Sequence, residues 1–181
     1  MILVGNGASV SDGNFGKEID AFQTIVRFSW FWIDGFEEKV GTRTDIWATT
    51  IFCKKRLEEN AFDRIIAHSW QWDPDKCKTF GLLRDAFPGV EKTTSDTIRE
   101  MSAFIDLPKV YAFSSGAILA WHFLKERESI TLTGFDWAKG IVGRHHYGDK
   151  QSKGTIHDPE KEFLFFDKLK QQNKIFFLGE D

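Results

Sequence analysis

The amino-terminal stretch Met1-Ile2-Leu3-Val4-Gly5-Asn6-Gly7-Ala8-Ser9 indicates the fold class of this chain. Its first four residues are all apolar, which is typical of a strand that is buried on both faces of a parallel sheet. The glycines and small polar residues that follow predict a tight turn, because glycine adopts backbone conformations that other residues avoid. The stretch therefore predicts a buried first strand that ends in a tight turn.

The rest of the chain repeats this strand signal and alternates it with helical patterns. Apolar runs predict further strands at residues 24–28, 45–49, 64–68, 130–134 and 174–178. Helical periodicity predicts helices at residues 54–60, 77–86, 95–105, 115–125 and 159–171. Pro159 suits the first turn of the last helix, and Phe163, Phe166 and Leu169 fall on one face of it. This alternation predicts an α/β fold with a mostly parallel central sheet flanked by helices, in a single domain over residues 1–181.

The composition excludes several classes of protein. With 27 acidic and 24 basic residues the net charge is −3, so the chain lacks the basic character of a nucleic-acid-binding protein. No apolar segment is long enough to span a bilayer, although peripheral contact with a membrane is left open. The two cysteines, Cys53 and Cys77, predict no disulfide framework. Since the first residues also lack a signal-peptide pattern, we expect a reducing, cytoplasmic location.

Three of the five histidines, His145, His146 and His157, lie close together ahead of the last predicted helix. Histidine is the side chain that exchanges a proton near neutral pH, so the cluster favours a proton-handling site. One alternative is a structural zinc site, but it would need a fourth ligand, and Cys53 and Cys77 lie far upstream without paired spacing. The other alternative is that these are surface histidines without a role.

Ligands of parallel sheets bind outside the carboxyl ends of the strands, often at a helix N-terminus. Residues 5–9 (GNGAS) would let backbone amides approach an anion, although Val10 replaces the third glycine of a dinucleotide fingerprint. Ser114-Ser115-Gly116 opens a predicted helix, so its hydroxyls and amides point at one spot. A turn without a ligand and a plain N-cap are the ordinary alternatives. Together with the histidine cluster, the two stretches suggest an enzyme that acts on a phosphorylated donor.

Four blocks of the sequence resemble, in order, the sialylmotifs of the sialyltransferases. Gly5-Asn6 with residues 16–20 (GKEID), 26–28 (VRF) and 35–44 (GFEEKVGTRT) resembles the long motif. Phe113-Ser114-Ser115-Gly116 through Thr133-Gly134-Phe135 resembles the short motif. His146-Tyr147-Gly148-Asp149 is similar to the third motif, and His157 with Glu162 is similar to the very short H-x-x-x-x-E motif. The chain thus resembles the animal-type glycosyltransferase family twenty-nine, and its compactness and G-N-G-x-S start also resemble bacterial family forty-two.

The resemblance implies a single Rossmann-like, GT-A-type domain that uses a CMP-sugar, normally CMP-sialic acid, and inverts the anomeric centre without a metal. It implies that His157 is the general base for the acceptor hydroxyl and that His146 binds the departing phosphate. The predicted donor-binding residues are Asn6, Ser9, Ser29, Ser114, Ser115, Gly116 and Tyr147. This division is chemically sound, because an attacking alcohol must lose its proton and a departing phosphate needs preorganised hydrogen-bond donors. No cofactor is expected, since the CMP-sugar is a substrate.

Departures from the family pattern bear on the substrate. Ser29 stands where the long motif usually has a second asparagine, so another CMP-linked acidic sugar such as Kdo is an alternative to sialic acid. Met1 and Arg127 occupy the positions of the animal enzymes' linking cysteines, which fits a cytoplasmic chain. Asp73-Pro74-Asp75 has the pattern of a D-x-D metal motif, but it lies outside the matched blocks.

The sequence predicts the acceptor only as a broad class. We expect a glycan of lipopolysaccharide, capsule or oligosaccharide, contacted by residues 51–106 and by the patch Trp30-Phe31-Trp32. Core packing is the alternative explanation of that patch. For the chain as a whole, the alternative is a non-catalytic module that binds CMP or a glycan on the same fold.

Overall fold

The computed structural model describes residues 1–68, 78–93, 96–140, 145–148 and 157–180. Its strands are β1 (Ile2–Val4), β2 (Ile25–Phe28), β3 (Ile46–Thr49), β4 (Arg64–Ala67), β5 (Glu91–Lys92), β6 (Ile130–Thr133) and β7 (Ile175–Phe177). They pair in parallel throughout, in one sheet of order β5-β4-β3-β2-β1-β6-β7. The predicted α/β fold with a parallel central sheet is confirmed.

Helices follow the strands along the chain. They are α1 (Gly16–Asp20), α2 (Glu37–Val40), α3 (Lys54–Glu59), α4 (Lys78–Ala86), α5 (Asp96–Phe104), α6 (Ser115–Leu124) and α7 (Pro159–Gln171), with 3₁₀ turns at Ala8–Ser11 and Asp136–Lys139. All six predicted strands and all five predicted helices are present. Strand β5 and helices α1 and α2 were not predicted, because they are too short to produce a periodic signal. The predicted first residues of two helices, Cys77 and Ser95, lie outside the described residues.

Both faces of the sheet are buried, as the continuous apolar strands predicted. Leu3 faces a core formed with α5, α6 and α7, whereas its neighbours Ile2 and Val4 face a second core with the first 3₁₀ turn and α1. Successive side chains of a strand point to opposite faces, so one short strand contributes to both cores. A helix covers each face, and the carboxyl ends of the strands meet at one edge.

Helix α7 corrects one prediction about packing. Its buried residues are Glu162, Phe165, Phe166 and Leu169, which recur at the three- and four-residue spacing of a single helical face. Phe163 was predicted to share that face but is 39% exposed. It lies at the edge of the face, next to Gly140. The burial of a carboxylate, Glu162, in the middle of the apolar face is the feature that the apolar pattern did not predict.

The close approach of the chain just beyond β1 and β6 determines the shape of this edge. The Gly5 amide donates to Thr133 O at 2.8 Å and the Gly7 amide donates to Gly134 O at 2.9 Å. A Cβ atom on Gly5 would lie 2.3 Å from Gly134 O, so no other residue fits there without moving backbone. The chain reverses its winding between these strands, which is where parallel sheets open a ligand crevice.

The long-motif blocks meet in a cluster of polar contacts. This polar clamp consists of Asp20, Arg27 and residues 42–45. The Asp20 carboxylate accepts hydrogen bonds from the Thr42 amide at 2.9 Å, the Arg43 amide at 3.0 Å and the Thr42 hydroxyl at 2.9 Å. Burial opposes ionisation of Asp20, but these hydrogen bonds dominate and lower its pKa. The K-E-I-D and G-T-R-T blocks are therefore held against each other by one carboxylate.

Arg27 of β2 ties the clamp to the sheet. Its side chain is 1% exposed and donates to Val40 O at 2.6 Å, Arg43 O at 3.0 Å and the Thr44 hydroxyl at 3.0 Å. Burial lowers its pKa to about 10, which still leaves the guanidinium charged at neutral pH. A buried cation is costly unless it is hydrogen-bonded, and these carbonyls meet that need. The clamp fixes the register of β2, whose end borders the crevice.

No helix among the described residues combines the length and the apolar character needed to cross a bilayer.

A matched pair of glycine substitutions tests the importance of the β1–β6 approach. Gly5→Ala should lower the free energy of unfolding by at least about 2 kcal/mol, because the new methyl group meets a backbone carbonyl that cannot move away. Gly81→Ala, in α4 with open space around its Cβ position, should instead stabilise the protein by about 0.5–1 kcal/mol through helix propensity. Urea unfolding of both variants measures the contrast. Equal small effects would contradict the tight approach.

Candidate active site

A cavity of about 320 Å³ opens at the carboxyl ends of β1, β2 and β6, facing the first turn of α6. The predicted site residues that line it are Asn6, Ser29, Ser114, Ser115, Gly116, Tyr147 and His157. Its wall also includes Asp136, Trp137 and Glu162, to which no site role was assigned from the sequence. Trp30, expected in the acceptor patch, and His145, a member of the histidine cluster, line it as well. Ser9 and His146 were predicted to belong to the site but do not line the cavity. The fold thus gathers most of the predicted residues from five separate parts of the chain.

Asp136 occupies the amides that were expected to cradle an anion. Its carboxylate accepts from the Ala8 amide at 2.9 Å and from the Ser9 amide at 3.2 Å, and it is 6% exposed. A Cβ atom on Gly7 would lie 2.4 Å from the Asp136 carboxylate. The expectation that residues 5–9 bind an anion through their backbone is therefore wrong for Ala8 and Ser9. These amides close the turn onto a carboxylate of the protein itself.

Asn6 offers the cavity an unused acceptor. Its side-chain amide donates to Phe28 O at 3.3 Å, which orients the other side-chain atom, Oδ1. That oxygen is buried and has no hydrogen-bond partner among the described residues. A buried acceptor without a partner costs about 1–3 kcal/mol, so its persistence beside a cavity indicates a place for a donor group of a ligand.

The first turn of α6 is the remaining anion-binding feature. The amides of Ser115 and Gly116 have no acceptor within the helix, because the first turn of any helix leaves its N–H groups unpaired, and the helix dipole adds positive potential there. A Cβ atom on Gly116 would lie 2.8 Å from the Phe135 ring. Gly116 therefore lets the helix end approach the cavity floor, and the two amides provide an anion site.

Glu162 of α7 fixes this helix end in place. Its carboxylate accepts a hydrogen bond of 2.9 Å from the Ser114 hydroxyl and a second one from the Ser114 amide. The same hydroxyl accepts from the Ala117 amide at 3.3 Å, so Ser114 is a true N-cap. Glu162 is fully buried, and burial raises its pKa to about 7, although both bonds from Ser114 act in the opposite direction. The very short motif thus links α7 to the anion-binding end of α6.

His157 stands beside this junction with a defined hydrogen bond. Its Nδ1 lies 2.6 Å from Ala112 O, and because a carbonyl can only accept, Nδ1 carries the proton. In the neutral ring Nε2 is then the acceptor nitrogen, which is the state that a general base requires. Asp158 caps α7 by accepting from the Glu160 amide at 3.0 Å, and Pro159 begins the helix as predicted. The Trp137 ring lies 5.9 Å from the imidazole, centroid to centroid.

The two adjacent histidines divide differently from the prediction. His146 points away from the cavity, with Nε2 3.0 Å from Trp32 O and Nδ1 3.4 Å from Asn6 O. Burial lowers its pKa, although both carbonyls favour the charged ring. His145 lines the cavity instead, where burial lowers its pKa and Asp136 opposes that shift. The nitrogens of His146 are engaged by backbone, so this arrangement does not place them toward a phosphate in the cavity.

Ser29 lies at the end of β2 in a conformation that side chains rarely adopt. Its φ is 42°, in the left-handed region, and its amide donates to Ala48 O at 2.8 Å. The Trp47 indole donates to Ser29 O at 3.1 Å, so the surrounding core holds the strained backbone. Such strain costs roughly 1–3 kcal/mol and collects at functional sites. Asparagine tolerates this region better than serine, which gives a backbone reason for an asparagine at this position.

The one cluster of metal-ligand types in the described part of the chain lies elsewhere. Glu91, His122 and Glu126 approach within 4.8 Å of one another near the start of β4 and the end of α6. Arg64 already binds both carboxylates, at 2.7 Å to Glu91 and 3.2 Å to Glu126. Its guanidinium takes the position of a cation, so we assign the cluster a structural role. Asp73-Pro74-Asp75 lies outside the described residues.

Some of the missed residues had sequence signals. Glu162 completes the H-x-x-x-x-E motif, and His145 directly precedes the third motif. Asp136 comes three residues after the end of β6, at the carboxyl edge where ligands bind. Nothing in the sequence distinguishes Trp137 from the other tryptophans.

The raised pKa of Glu162 predicts a pH-dependent stability. Its folded pKa of about 7 lies above its ordinary value of 4.5, so the native protein holds this proton more tightly than the unfolded chain. The stabilisation is present below about pH 4.5 and is lost as pH rises toward 7. Glu162→Gln keeps the shape without the charge. The difference in unfolding free energy between this variant and the wild type should therefore shift in favour of the variant as pH rises from 5 to 8. Glu160→Gln, exposed on the same helix, is the control. If the two variants respond to pH alike in urea titrations, burial does not raise the pKa of Glu162.

The first part of the chain is similar in sequence to known proteins. Residues 2–80 match the model of glycosyltransferase family 29 (sialyltransferase). Alpha-N-acetylgalactosaminide alpha-2,6-sialyltransferase 1 of Mus musculus is 42% identical over 50 residues, or 28% of this chain. Its counterpart from Homo sapiens is 40% identical over 50 residues. The aligned segments span only 10% and 8% of these two relatives.

Solved structures extend the similarity across the fold. A mammalian sialyltransferase in complex with Gal-beta-1-3GalNAc-ortho-nitrophenol superposes with a TM-score of 0.74 at 16% identity, over 99% of this chain and 69% of that one. The monofunctional alpha-2,3-sialyltransferase Cst-I from Campylobacter jejuni gives 0.69 at 15% identity, over 99% and 76%. The sialyltransferase CST-II in complex with a trisaccharide acceptor and CMP gives 0.62 at 14%, over 98% and 80%. This chain is therefore similar to the sialyltransferases in sequence over residues 2–80 and in fold over nearly its whole length.

Proposed function

We propose that this chain transfers sialic acid, or a related acidic sugar, from a CMP-sugar donor to a glycan hydroxyl. The observation that carries the proposal is His157, whose Nδ1–H is held by Ala112 O on the wall of a cavity that also contains a helix N-terminus. A base with a defined tautomer and an anion site in one cavity are the two elements that glycosyl transfer from a nucleotide donor needs. The cavity volume lies at the lower end of the range of small-molecule sites.

The donor is held by complementary groups from two different elements. The unpartnered oxygen of Asn6 accepts a donor group of the nucleotide or sugar, and the amides of Ser115 and Gly116 bind the phosphate. Relatives support the nucleotide, since CST-II has been solved with CMP and a trisaccharide acceptor. They also support a glycan acceptor, since the mammalian sialyltransferase has been solved with Gal-beta-1-3GalNAc-ortho-nitrophenol.

The reaction begins with proton removal. The acceptor hydroxyl gives its proton to Nε2 of His157 as its oxygen attacks the anomeric carbon of the donor sugar. The bond from that carbon to the phosphate oxygen breaks, and the electron pair leaves with CMP. Ala112 O stabilises the imidazolium through the Nδ1–H bond, because a carbonyl oriented toward a developing positive charge favours it. A single displacement of this kind inverts the anomeric centre.

The departing phosphate is stabilised without a metal in this proposal. The α6 amides supply preorganised donors, and His145, on the cavity wall, supplies a further nitrogen. We assign the phosphate contact to His145 and give His146 the task of fixing the surrounding loop, because the His146 nitrogens face Asn6 O and Trp32 O. Tyr147 lines the cavity, but its hydroxyl donates to Trp30 O at 2.5 Å. This bond helps to hold residues 145–148 against the segment after β2.

The site favours an acidic sugar without choosing among them. A helix N-terminus attracts a sugar carboxylate as readily as a phosphate, so CMP-linked Kdo fits the same chemistry as CMP-sialic acid. The alternative of a non-catalytic binding module is less favoured, because a hydrogen bond that sets the tautomer of His157 is needed for proton transfer and not for binding.

The donor specificity can be measured directly. CMP should raise the melting temperature more than AMP or UMP, because a ligand that binds only the native state contributes roughly 2.7 kcal/mol at a hundredfold excess over its Kd. Release of CMP from CMP-sialic acid and CMP-Kdo, with a panel of acceptor glycosides, then identifies the sugar.

The transfer rate should be unchanged in excess EDTA, since no step uses a cation. Equal thermal shifts by all three nucleotides would refute the donor, and recovery of an EDTA-inhibited rate by Mn²⁺ would refute metal independence.

Three histidine variants separate the base from the binding groups. His157→Asn keeps a donor near Ala112 O but lacks a base, so turnover should fall roughly 10²–10⁴-fold with CMP affinity nearly intact. His145→Ala should weaken CMP binding as well as turnover, because a contact to the phosphate is lost. His146→Ala should leave CMP affinity closer to wild type than His145→Ala does. Calorimetric CMP titration and initial rates measure these differences. Wild-type turnover in His157→Asn would place the base elsewhere.

A further inference from the structure

Glu162 places a carboxylate on the cavity wall without a counter-ion. It is fully buried, yet it borders the cavity beside the first turn of α6. Within the described part of the chain no cation pairs with it, and its neighbour Lys161 pairs with Asp158 instead. Among these residues, the hydrogen bonds that it accepts come from the amide and the hydroxyl of Ser114. A buried carboxylate with neutral partners is favoured in its protonated form, because burial penalises the charge.

An ionised Glu162 and a bound phosphate would compete for one helix end. The proposed phosphate site is the first turn of α6, and the N-cap of that helix, Ser114, is the residue that Glu162 binds. An ionised Glu162 already occupies the positive potential of the helix N-terminus. Two negative charges at one buried helix end repel each other strongly, because the protein screens them far less than water does. A phosphate therefore binds more tightly when Glu162 is neutral.

Protonation of Glu162 also changes what the Ser114 hydroxyl can do. When Glu162 is ionised, the hydroxyl donates its single hydrogen to Oε2 at 2.9 Å and accepts from the Ala117 amide at 3.3 Å. A protonated carboxyl group is itself a donor, so its O–H can bond to Ser114 Oγ across the same gap. The hydrogen of Ser114 is then released, and Ser114 lines the cavity. The neutral carboxyl group thus frees one more hydrogen-bond donor for a ligand.

We propose that Glu162 takes up a proton as the donor phosphate binds, and that the Ser114 hydroxyl then turns from Glu162 to the phosphate. The inference rests on the proposed transferase function and adds Glu162 to it as a positioning residue. The proton comes from solvent and stays on the carboxyl oxygen, so no bond of the donor breaks in this step. Burial raises the pKa of Glu162 to about 7 in the free protein, although the bonds from Ser114 oppose this shift. The group is therefore poised to change its state when an anion arrives near neutral pH.

Other titratable groups share the cavity or lie on the adjoining elements. Asp136 is held by two backbone amides of the turn after β1, and burial keeps the pKa of His145 below its ordinary value. Burial, together with the charges of Glu162 and Asp158, raises the pKa of Tyr111, which stays neutral. Variants at Glu162 itself are needed to assign a proton to it. The full set of neighbouring groups is Tyr111, Asp136, His145, His157, Asp158 and Lys161.

Proton uptake can be measured with the methyl ester of CMP, whose phosphodiester, like that of the donor, does not titrate between pH 6 and pH 8. Calorimetric titrations at pH 8 in Tris and in HEPES, two buffers of different ionisation enthalpy, should show uptake of about one proton per ligand bound. The affinity should be about tenfold weaker at pH 8 than at pH 6, because Glu162 must be neutralised before the ligand binds. Glu162→Gln has an amide that can donate to Ser114 Oγ as the protonated carboxyl group does. This variant should bind without that uptake and with a much smaller dependence on pH.

Matched variants separate the charge from the hydroxyl. Glu160→Gln removes an exposed carboxylate from the same helix and should keep the proton uptake of the wild type. His157→Asn removes the neighbouring imidazole and should keep it as well. Ser114→Ala should bind the methyl ester more weakly than the wild type at pH 6, where Glu162 is neutral in both proteins. Equal affinities at pH 6 would show that the hydroxyl does not reach the phosphate and would overturn that part of the inference.

An infrared difference spectrum tests the proton without any variant. Addition of the methyl ester to the wild type at pH 8 should produce the carbonyl band of a protonated carboxylic acid, and Glu162→Gln should lack this band. If the wild type binds neither CMP nor its methyl ester at any pH, the transferase proposal itself fails. Binding without the band, or with the same proton uptake in the wild type and in Glu162→Gln, would defeat only the role of Glu162.

Discussion

The packing of two backbone segments against each other, just beyond β1 and β6, is the constraint on which the site depends. Gly5 and Gly134 approach so closely that neither tolerates a side chain, and the Asp136 carboxylate then closes the turn by binding the Ala8 and Ser9 amides. This closure uses the amides of the first turn, so the amides left to bind an anion are those at the start of α6. Asn6 supplies an unused acceptor. The chemistry is thereby distributed over two walls, an arrangement suited to a donor with both a phosphate and a sugar.

The most specific sequence blocks have structural tasks. The polar clamp joins Asp20, Arg27 and the G-T-R-T segment through hydrogen bonds, and its Arg27 side chain is buried. The Arg27 guanidinium donates to two carbonyls and a hydroxyl at once, which lysine cannot reproduce because its single ammonium lacks the planar set of donors. These blocks therefore fix the end of β2 and, through it, the strained backbone of Ser29. None of these residues lines the cavity, so they contribute to it by placing the end of β2.

Residues 145–148 connect the turn after β1 to the segment after β2, residues 30–32. His145 forms a bridge with Gly7 and lines the cavity, and the His146 amide donates to Asn6 O at 3.0 Å. The side chains of His146 and Tyr147 reach in the other direction, to the carbonyls of the tryptophan segment. One short loop thus fixes the turn after β1 and the segment after β2 relative to each other, and with them two parts of the cavity wall.

The sequence alone determined the architecture. Continuous apolar strands alternating with periodic helices required a buried parallel sheet whose carboxyl edge gathers strand ends and helix starts. Asn6 and Ser114 were predicted at this edge from that rule, whereas His157 was predicted from the histidine cluster and the family resemblance, and all three line the cavity. Tertiary structure decided the direction of each group. Which of His145 and His146 faces the cavity, whether the Ala8 and Ser9 amides are free, and which side of Trp30-Phe31-Trp32 is buried depend on partners distant in sequence. The pKa of Glu162 is set by burial in the same way. Periodicity reports which residues share a face, but hydrogen bonds and desolvation arise between segments that only folding brings together.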